Sequence, residues 1–541
     1  MKTVCLYFEI HQPNHLKRYR FFDIGTDHYY YNDYENERCT IETAQKSYIP
    51  TLRTLLEMIN ESNKEFRVAF SISGVALEML EQYSPEVIDL LQELNATGCV
   101  EFLAEPYSHG LASLGNTESF VSETKRQAKK IKELFGHTPK VMRNSSLIYN
   151  DEIGGVVADM GFKGMMVEGA KHILGWKSSH YVYSCAYNPN LSLLLRDYKL
   201  SDDISLRFSN TQWADYPLMA DKYMGWIAGL EEGKNLINIM LELSSIGIYQ
   251  PLESGILGFL KALPSEAKKM NVQFATPSMV IAKNKPVGPL EIVHPVSWND
   301  EERDTSSVLG NGMQREAFAK LYDEKIVGRI LACRDRRIKQ DWDRLQASDN
   351  FRFMTTKNNG TGIYRGIYDS EYDAFTNYMN ILGDFLKRVR DLFSDDVEND
   401  ELNSLYTQIT NLGKELEVKD NEISRLRARL SKFEKGEAPV EETPAAPEVK
   451  AETPAKAPEK KSAAKKAPAK KATTTKVEKK APAEKVAPAP KPIAEKAPEV
   501  KTKKAAPAKV EKVAPEKAAP VKVEKAAPIK KPVAKKAATK K

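Results

Sequence analysis

Several short apolar runs in this chain end on residues able to move protons or hold polar ligands. Phe8-Glu9-Ile10-His11-Gln12-Pro13 closes the first run, and Glu101-Phe102-Leu103-Ala104-Glu105, followed by His109, closes another. Successive side chains of a strand point to opposite faces, so Glu9 and His11 share one face. Arg143 and Glu242 stand at the ends of two further runs, and His294, Trp298 and Asp300 lie together later. Carboxyl and imidazole groups serve as proton donors and acceptors. An indole beside hydroxyl-binding groups suits the faces and hydroxyls of a sugar ring. None of these motifs is decisive alone, because a strand-end histidine is more often structural than catalytic.

The elements that must position these residues follow from the apolar pattern. Strands are expected at Val4–Ile10, Arg67–Ile72, Val100–Leu103, Val141–Arg143, Gly164–Val167, Leu191–Arg196, Ile237–Leu243 and Val272–Ala275. Amphipathic helices are expected between them, at Ile49–Asn60, Pro85–Leu94 and Thr117–Leu134. That alternation predicts an α/β fold with a largely parallel sheet, and seven or eight strands predict a closed barrel. In a parallel barrel the strand ends carrying His11, Glu105, Arg143 and Glu242 converge on one face. Helices Gly312–Arg336 and Glu371–Leu392 are expected to form a subdomain against it. The division is residues 1–285 for the barrel, 286–395 for the helical subdomain, 396–435 for a coiled coil and 436–541 for a tail.

The 541-residue chain has a formal charge of +6, which conceals two opposed parts. From Gly436 onward there are 28 Lys, 13 Glu and 16 Pro, with no Arg, Asp or aromatic residue, for a charge of +15. The preceding 435 residues carry −9. The tail cannot bury enough apolar surface to offset its ordering entropy and is expected to be disordered. Before it, Leu402, Ile409, Leu416, Ile423 and Leu430 keep one heptad position. Leu405, Leu412, Lys419, Leu426 and Phe433 follow three residues after each, so only Lys419 breaks a coiled-coil seam. The five scattered cysteines form no CxxC pair and read as reduced thiols of a cytoplasmic protein. No window resembles a signal peptide or a membrane span. No metal or cofactor is expected.

Eight phrases stand in the order seen in glycoside hydrolase family fifty-seven, and over about 390 residues the chain resembles the α-amylase branch of that family. Among them are FEIHQP (Phe8–Pro13), FSISG (Phe70–Gly74), EFLAEPYSHGLASL (Glu101–Leu114) and MRNSSLIYND (Met142–Asp151). Others are LGWKSSHYVY (Leu174–Tyr183), LLLRDYKLSDDISLRFSN (Leu193–Asn210) and HPVSWNDEERDTSSVLGNGMQ (His294–Gln314). The eighth runs from Met240 to Pro264. The resemblance implies an incomplete TIM-like (β/α)7 barrel closed by helices, with an α-glucan or malto-oligosaccharide as substrate. It implies a retaining mechanism without a required metal. It also implies sugar-binding positions at Glu9, His11, Glu105, His109, Arg143, His294, Trp298 and Asp300.

Two positions depart from the family pattern. Ser146 stands where the family places its glutamate nucleophile, and Glu242 stands where it places the aspartate acid/base. Retaining hydrolysis needs two carboxyl groups about 5–5.5 Å apart. Glu242 can still protonate a leaving oxygen, whereas Ser146 supplies no negative charge and is a poor nucleophile without a base. Two escapes are a water activated by Glu9 or Glu105, and a Ser146 hydroxyl activated by His11. The readings are therefore a non-catalytic or weakly catalytic glucan-binding protein, or an α-amylase or 4-α-glucanotransferase using unconventional residues. A third is an oligomeric scaffold whose tail binds nucleic acid or another polyanion, although the interspersed glutamates dilute that field.

The heptads generate a direct test. The full chain is expected to self-associate through residues 402–433, and a chain ending near Asp396 is expected to have a smaller subunit number by light scattering. Monomers in both cases would overturn the coiled-coil reading.

Overall fold

The computed structural model describes residues 1–357 and 368–392, with Lys419 and Ile423 as isolated helical positions. The heptad segment and the Lys-rich tail lie outside the described residues. All of the described residues fall in one compact unit, Met1–Glu441.

Ten strands occur among the described residues: β1 (Lys2–Ile10), β2 (Val68–Ile72), β3 (Val100–Leu103), β4 (Val141–Arg143), β5 (Gly164–Glu168), β6 (Val182–Cys185), β7 (Ser192–Arg196), β8 (Leu236–Glu242), β9 (Val272–Phe274) and β10 (Pro289–Leu290). Seven of them form a closed parallel ring in the order β8-β1-β2-β3-β4-β5-β7. The β3–β4 and β7–β8 joints are each a single residue pair, Ala104 with Met142 and Arg196 with Asn238. The β3–β4 joint lies just past the end of β3. It is made by Ala104 N donating to Val141 O at 3.0 Å and Arg143 N donating to Ala104 O at 2.8 Å. The eight expected strands are all present to within about two residues, but β9 is not part of the ring. It pairs with Lys2–Val4 at the start of β1, below the point where β2 takes over that edge. The antiparallel β6 and the short β10 were not expected from the pattern; β6 lies outside the ring against β7.

Strand parity decides what faces where. On β1, Val4, Leu6, Phe8 and Ile10 pack outward under the helices, while Cys5 and Tyr7 face the barrel interior with Ala69, Met166, Leu194 and Met240. Both faces are buried, so these strands read as nearly continuous apolar runs. The outer layer comes from helices Ile49–Glu61, Pro85–Ala96 and Thr117–Phe135, each within two residues of expectation. Pro85 occupies the first helical turn, where a missing N–H costs nothing, and the Asn116 side chain caps Ser119 N.

The expected single helix Gly312–Arg336 is instead two, Gly312–Leu321 and Glu324–Ala332, and a third, Arg336–Leu345, begins at its last residue. Asp323 and Asp335 break it, because each carboxylate caps the backbone N–H groups of a new helix, at Ile326 and at Arg337. Glu371–Leu392 forms as expected. The breaks matter for the barrel mouth. They turn the chain so that Ala347 bridges Gly110 and Ser348 N donates to His109 O at 3.1 Å, which brings the short helix Ser348–Arg352 over the strand ends.

One glycine fixes the loop that follows β8. Gly247 has φ +96°, and a Cβ there would lie 2.0 Å from the carbonyl oxygen of Lys46. The replacement Gly247→Ala is therefore expected to cost at least about 2–3 kcal/mol through backbone strain and overlap together. Urea unfolding measures this, and a loss below about 0.5 kcal/mol would mean that the loop is not held against Lys46.

Candidate active site

The interior parity of each ring strand ends on a polar or charged residue. In ring order these are Glu242 (β8), Glu9 (β1), Ser71 (β2), Glu105 (just past β3), Arg143 (β4), Glu168 (β5) and Arg196 (β7). Register makes several of them direct neighbours: Glu9 pairs with Ser71 on one side and Glu242 on the other, and Glu168 pairs with Arg196. Six ionisable side chains therefore crowd one end of the barrel, and the way they pair defines two halves.

In the first half, the fully buried Arg143 reaches Glu9 at 2.5 Å and Glu105 at 3.4 Å. His109 lies between the same carboxylates, with Nε2 3.4 Å from Glu9 and Nδ1 3.3 Å from Glu105. The Ser71 hydroxyl donates to Glu105. The His11 ring stacks on His109 at 4.1 Å, with Nδ1 2.8 Å from the Ser73 hydroxyl and Nε2 2.9 Å from Asp349. Burial by itself would lower the His11 pKa, but Asp349 and then Glu105 and Glu9 outweigh it and raise it. Asp349 is also buried, yet the facing His11 holds its carboxyl well below the usual range. This half is held by internal charge pairs, although Glu9 Oε2 and Arg143 Nε and Nη2 make no hydrogen bond among the described residues.

The second half opens onto a cavity of about 1180 Å³, at the upper end of ligand-pocket sizes. Glu242, Arg196, Asp202, Trp298, Asp300 and Arg352 are among its walls. Arg196 bonds Glu168 at 3.2 Å and Asp202 at 2.5 Å, and its guanidinium lies 5.6 Å from the Trp298 ring. Arg303 completes the group at 2.8 Å from Asp202. Burial lifts the Glu168 carboxyl despite Arg196 and Arg303. Burial also pushes Glu242 up to about 7, and the Glu9 charge that register places beside it adds to the effect, against Arg352 and Arg143. A carboxyl with that affinity carries a proton for much of the time at neutral pH and is suited to donate it.

The segment after β4 is turned inward. Ser146 is 2% exposed, has φ +51° and ψ +24°, and does not line the cavity. The loop after β10 clamps it: Tyr149 and Val296 exchange two backbone hydrogen bonds of 3.1 and 2.9 Å, and Trp298 N donates to Ser146 O at 3.1 Å. That clamp carries Trp298, Asn299 and Asp300 into the cavity wall. Buried polar atoms of all three, namely Trp298 Nε1, both amide atoms of Asn299 and Asp300 Oδ1, have no hydrogen-bond partner among the described residues. Such atoms are costly to leave unmet.

Of the sequence-predicted residues, Glu242, Trp298 and Asp300 line the cavity. Glu9, His11, Glu105, His109 and Arg143 form the closed network beside it. His294 is exposed, away from both groups. Sequence reasoning missed Glu168, Arg196, Asp202, Asn299, Arg303, Asp349 and Arg352. Arg196 could have been found, because it ends a strand just as Arg143 does; Asp349 and Arg352 had no local signal.

A closed parallel barrel of seven strands, with carboxyl groups and an indole around a cavity at the C-terminal strand ends, defines a glycosidase-type α/β barrel. The sequence pattern described as "Glycosyl hydrolase family 57" matches residues 5–293. The chain is 36% identical over 449 residues to the "Putative alpha-amylase" of Methanocaldococcus jannaschii, covering 80% of this chain and 94% of that one. The chain belongs to glycosyl hydrolase family 57. Its fold is similar to that of the GH57-type branching enzyme of Pyrococcus horikoshii, with a TM-score of 0.54 at 13% identity over 76% of this chain and 94% of that one. It is also similar to the 4-alpha-glucanotransferase of Thermococcus litoralis, with a TM-score of 0.51 at 14% identity over 71% of this chain; the match spans 59% of that enzyme's length.

The raised Glu242 pKa has a signed consequence for stability. Its proton is held more tightly in the folded than in the unfolded state, so its stabilising contribution is complete below pH 4.5 and is lost as pH rises through about 7. The neutral replacement Glu242→Gln is expected to be ~1–3 kcal/mol more stable than the wild type at pH 8 and level with it at pH 4. Urea unfolding at the two pH values reads this directly; a difference that does not vary with pH would place the Glu242 pKa near its ordinary value.

Proposed function

We propose that this protein binds an α-glucan or malto-oligosaccharide in the 1180 Å³ cavity and has little or no retaining hydrolase activity. The observation that carries the reading is the contrast between the two strand ends that would have to supply carboxyl groups. At β8, Glu242 opens to the cavity with a pKa near neutrality, as a proton donor requires. At β4, the residue in the family's nucleophile position is a serine, buried and clamped under the Trp298 loop. A glycosyl-enzyme intermediate needs a carboxylate within reach of the anomeric carbon, and Ser146 offers neither the charge nor the access.

The packing also bears on both escapes. Glu9 and Glu105, the acids that might have activated a water, are bound to Arg143 and His109 and do not line the cavity. His11, the base that might have activated Ser146, has both ring nitrogens occupied by Ser73 and Asp349. Binding, by contrast, needs only the cavity walls, to which Trp298, Asn299 and Asp300 contribute beside Arg196, Tyr198 and Glu242.

The test combines a binding and a turnover measurement on the full chain. Titration calorimetry with maltoheptaose is expected to show binding, and reducing-end release from soluble starch is expected to lie at least about a thousandfold below a relative with both carboxylates. The pair Ser146→Glu with Glu242→Asp is expected to recover some hydrolysis. Clear hydrolysis by the wild type, abolished by Glu242→Gln and untouched by Ser146→Ala, would overturn the reading in favour of an enzyme with a different second residue.

A further inference from the structure

Among the described residues the most exposed large apolar side chain is Trp176, 92% accessible. It directly follows Gly175, a residue of the cavity wall. Lys171, His172 and Gly175, within five residues before it, all line the cavity wall. An indole left in water forgoes the burial of about 150–250 Å² that such a side chain normally contributes.

Fraying does not account for the exposure. The backbone on both sides of Trp176 is pinned, with Gly175 N donating to Lys171 O at 2.9 Å and Lys177 N donating to Leu174 O at 2.8 Å. Leu174 is buried in the core, and downstream His180 is held by Asp197 at 2.8 Å. Gly175 makes the turn with φ +55° and ψ −107°, a conformation unfavourable to any residue with a Cβ. The chain thus reverses sharply at the rim and presents the indole outward from a fixed backbone.

We propose that Trp176 is an outer sugar-stacking platform, which takes a glucosyl unit of an α-glucan chain whose inner units occupy the cavity. This rests on the glucan-binding reading above and adds to it a preference for chain length. The chemistry of the walls favours this occupant. Within the cavity, Arg196, Asp202, Glu242, Asp300, Arg303 and Arg352 offer charge and hydrogen bonds to hydroxyls. A pyranose ring also has an apolar face of C–H groups; Trp298, Tyr198 and Tyr249 offer ring faces to units inside the cavity, and the Trp176 indole offers one to a unit beyond it. Stacking removes apolar surface of both partners from water and needs no rearrangement of a pinned backbone. A ligand short enough to remain inside does not reach the platform; a longer one does.

Titration calorimetry on the full chain with maltose and with maltoheptaose, for the wild type, Trp176→Ala and Trp176→Phe, tests the proposal. Trp176→Ala is expected to weaken maltoheptaose binding about tenfold, equivalent to about 1.4 kcal/mol, and to change maltose binding less than twofold. Trp176→Phe is expected to retain most of the affinity for maltoheptaose. The thermal midpoint is expected to be unchanged, since the side chain contributes little to the core. Equal maltoheptaose affinity in the wild type and Trp176→Ala overturns the platform while leaving the glucan reading in place. So does a change in oligomeric mass without a change in sugar affinity, which would make Trp176 a protein-docking residue. Failure of the wild type to bind either sugar overturns both.

Discussion

The buried guanidinium of Arg143, held between the carboxylates of Glu9 and Glu105, is the interaction on which the barrel mouth depends. Taking a charge out of water costs several kcal/mol, and the cost is recovered only when the partners are close and their remaining polar atoms are bonded. The chain brings the partners close with three strands and adds His109, Ser71 and, through His11, the distant Asp349, while Arg143 Nε and Nη2 and Glu9 Oε2 remain without hydrogen bonds among the described residues. Each added group fixes another segment. Ser73 and Asp349 hold His11, and the helix carrying Asp349 is hydrogen-bonded to the His109 backbone. The network ties β1, β2, β3 and β4 to a helix from the far end of the described chain.

Glu9 and Glu105 are ion-paired and lie off the cavity, which opens on the other half of the mouth. Glu242 is the boundary case. Strand register places it against Glu9, whose charge is already bound to Arg143, and burial together with that neighbour raises its pKa toward neutrality. The same pairing that stabilises one acid thereby prepares the next one to hold a proton. Arg196 repeats the arrangement on β7 with Glu168 and Asp202, and its guanidinium forms part of the wall beside Trp298.

Membership of glycosyl hydrolase family 57 gives the barrel its context, and the segment after β4 shows how two loops pack together at its mouth. A serine in the left-handed region, covered by a loop that bonds its carbonyl oxygen, costs less than an unpaired carboxylate buried at the same place. The loop that closes over it is the one that carries Trp298, Asn299 and Asp300 to the cavity. The burial of Ser146 and the wall formed by Trp298, Asn299 and Asp300 are therefore parts of a single packing arrangement.

Much of this was legible in the chain alone. Apolar runs located all seven ring strands, and the alternation of side chains placed Glu9 and His11 on one face, because strand periodicity is a local property. Ordered motifs identified the family. The cavity composition was decided elsewhere. Glu168 and Arg196 become partners only because β5 and β7 are adjacent in the ring, and β6, between them in sequence, is displaced to its outside. The break of the expected helix Gly312–Arg336 at two capping aspartates turned Asp349 and Arg352 toward the mouth, more than 330 residues from His11. His294, close to Trp298 in sequence, ended in solvent. Periodicity and motif reside in neighbouring residues, whereas pairing, burial and the pKa shifts that follow depend on which distant charges the closed barrel brings into contact.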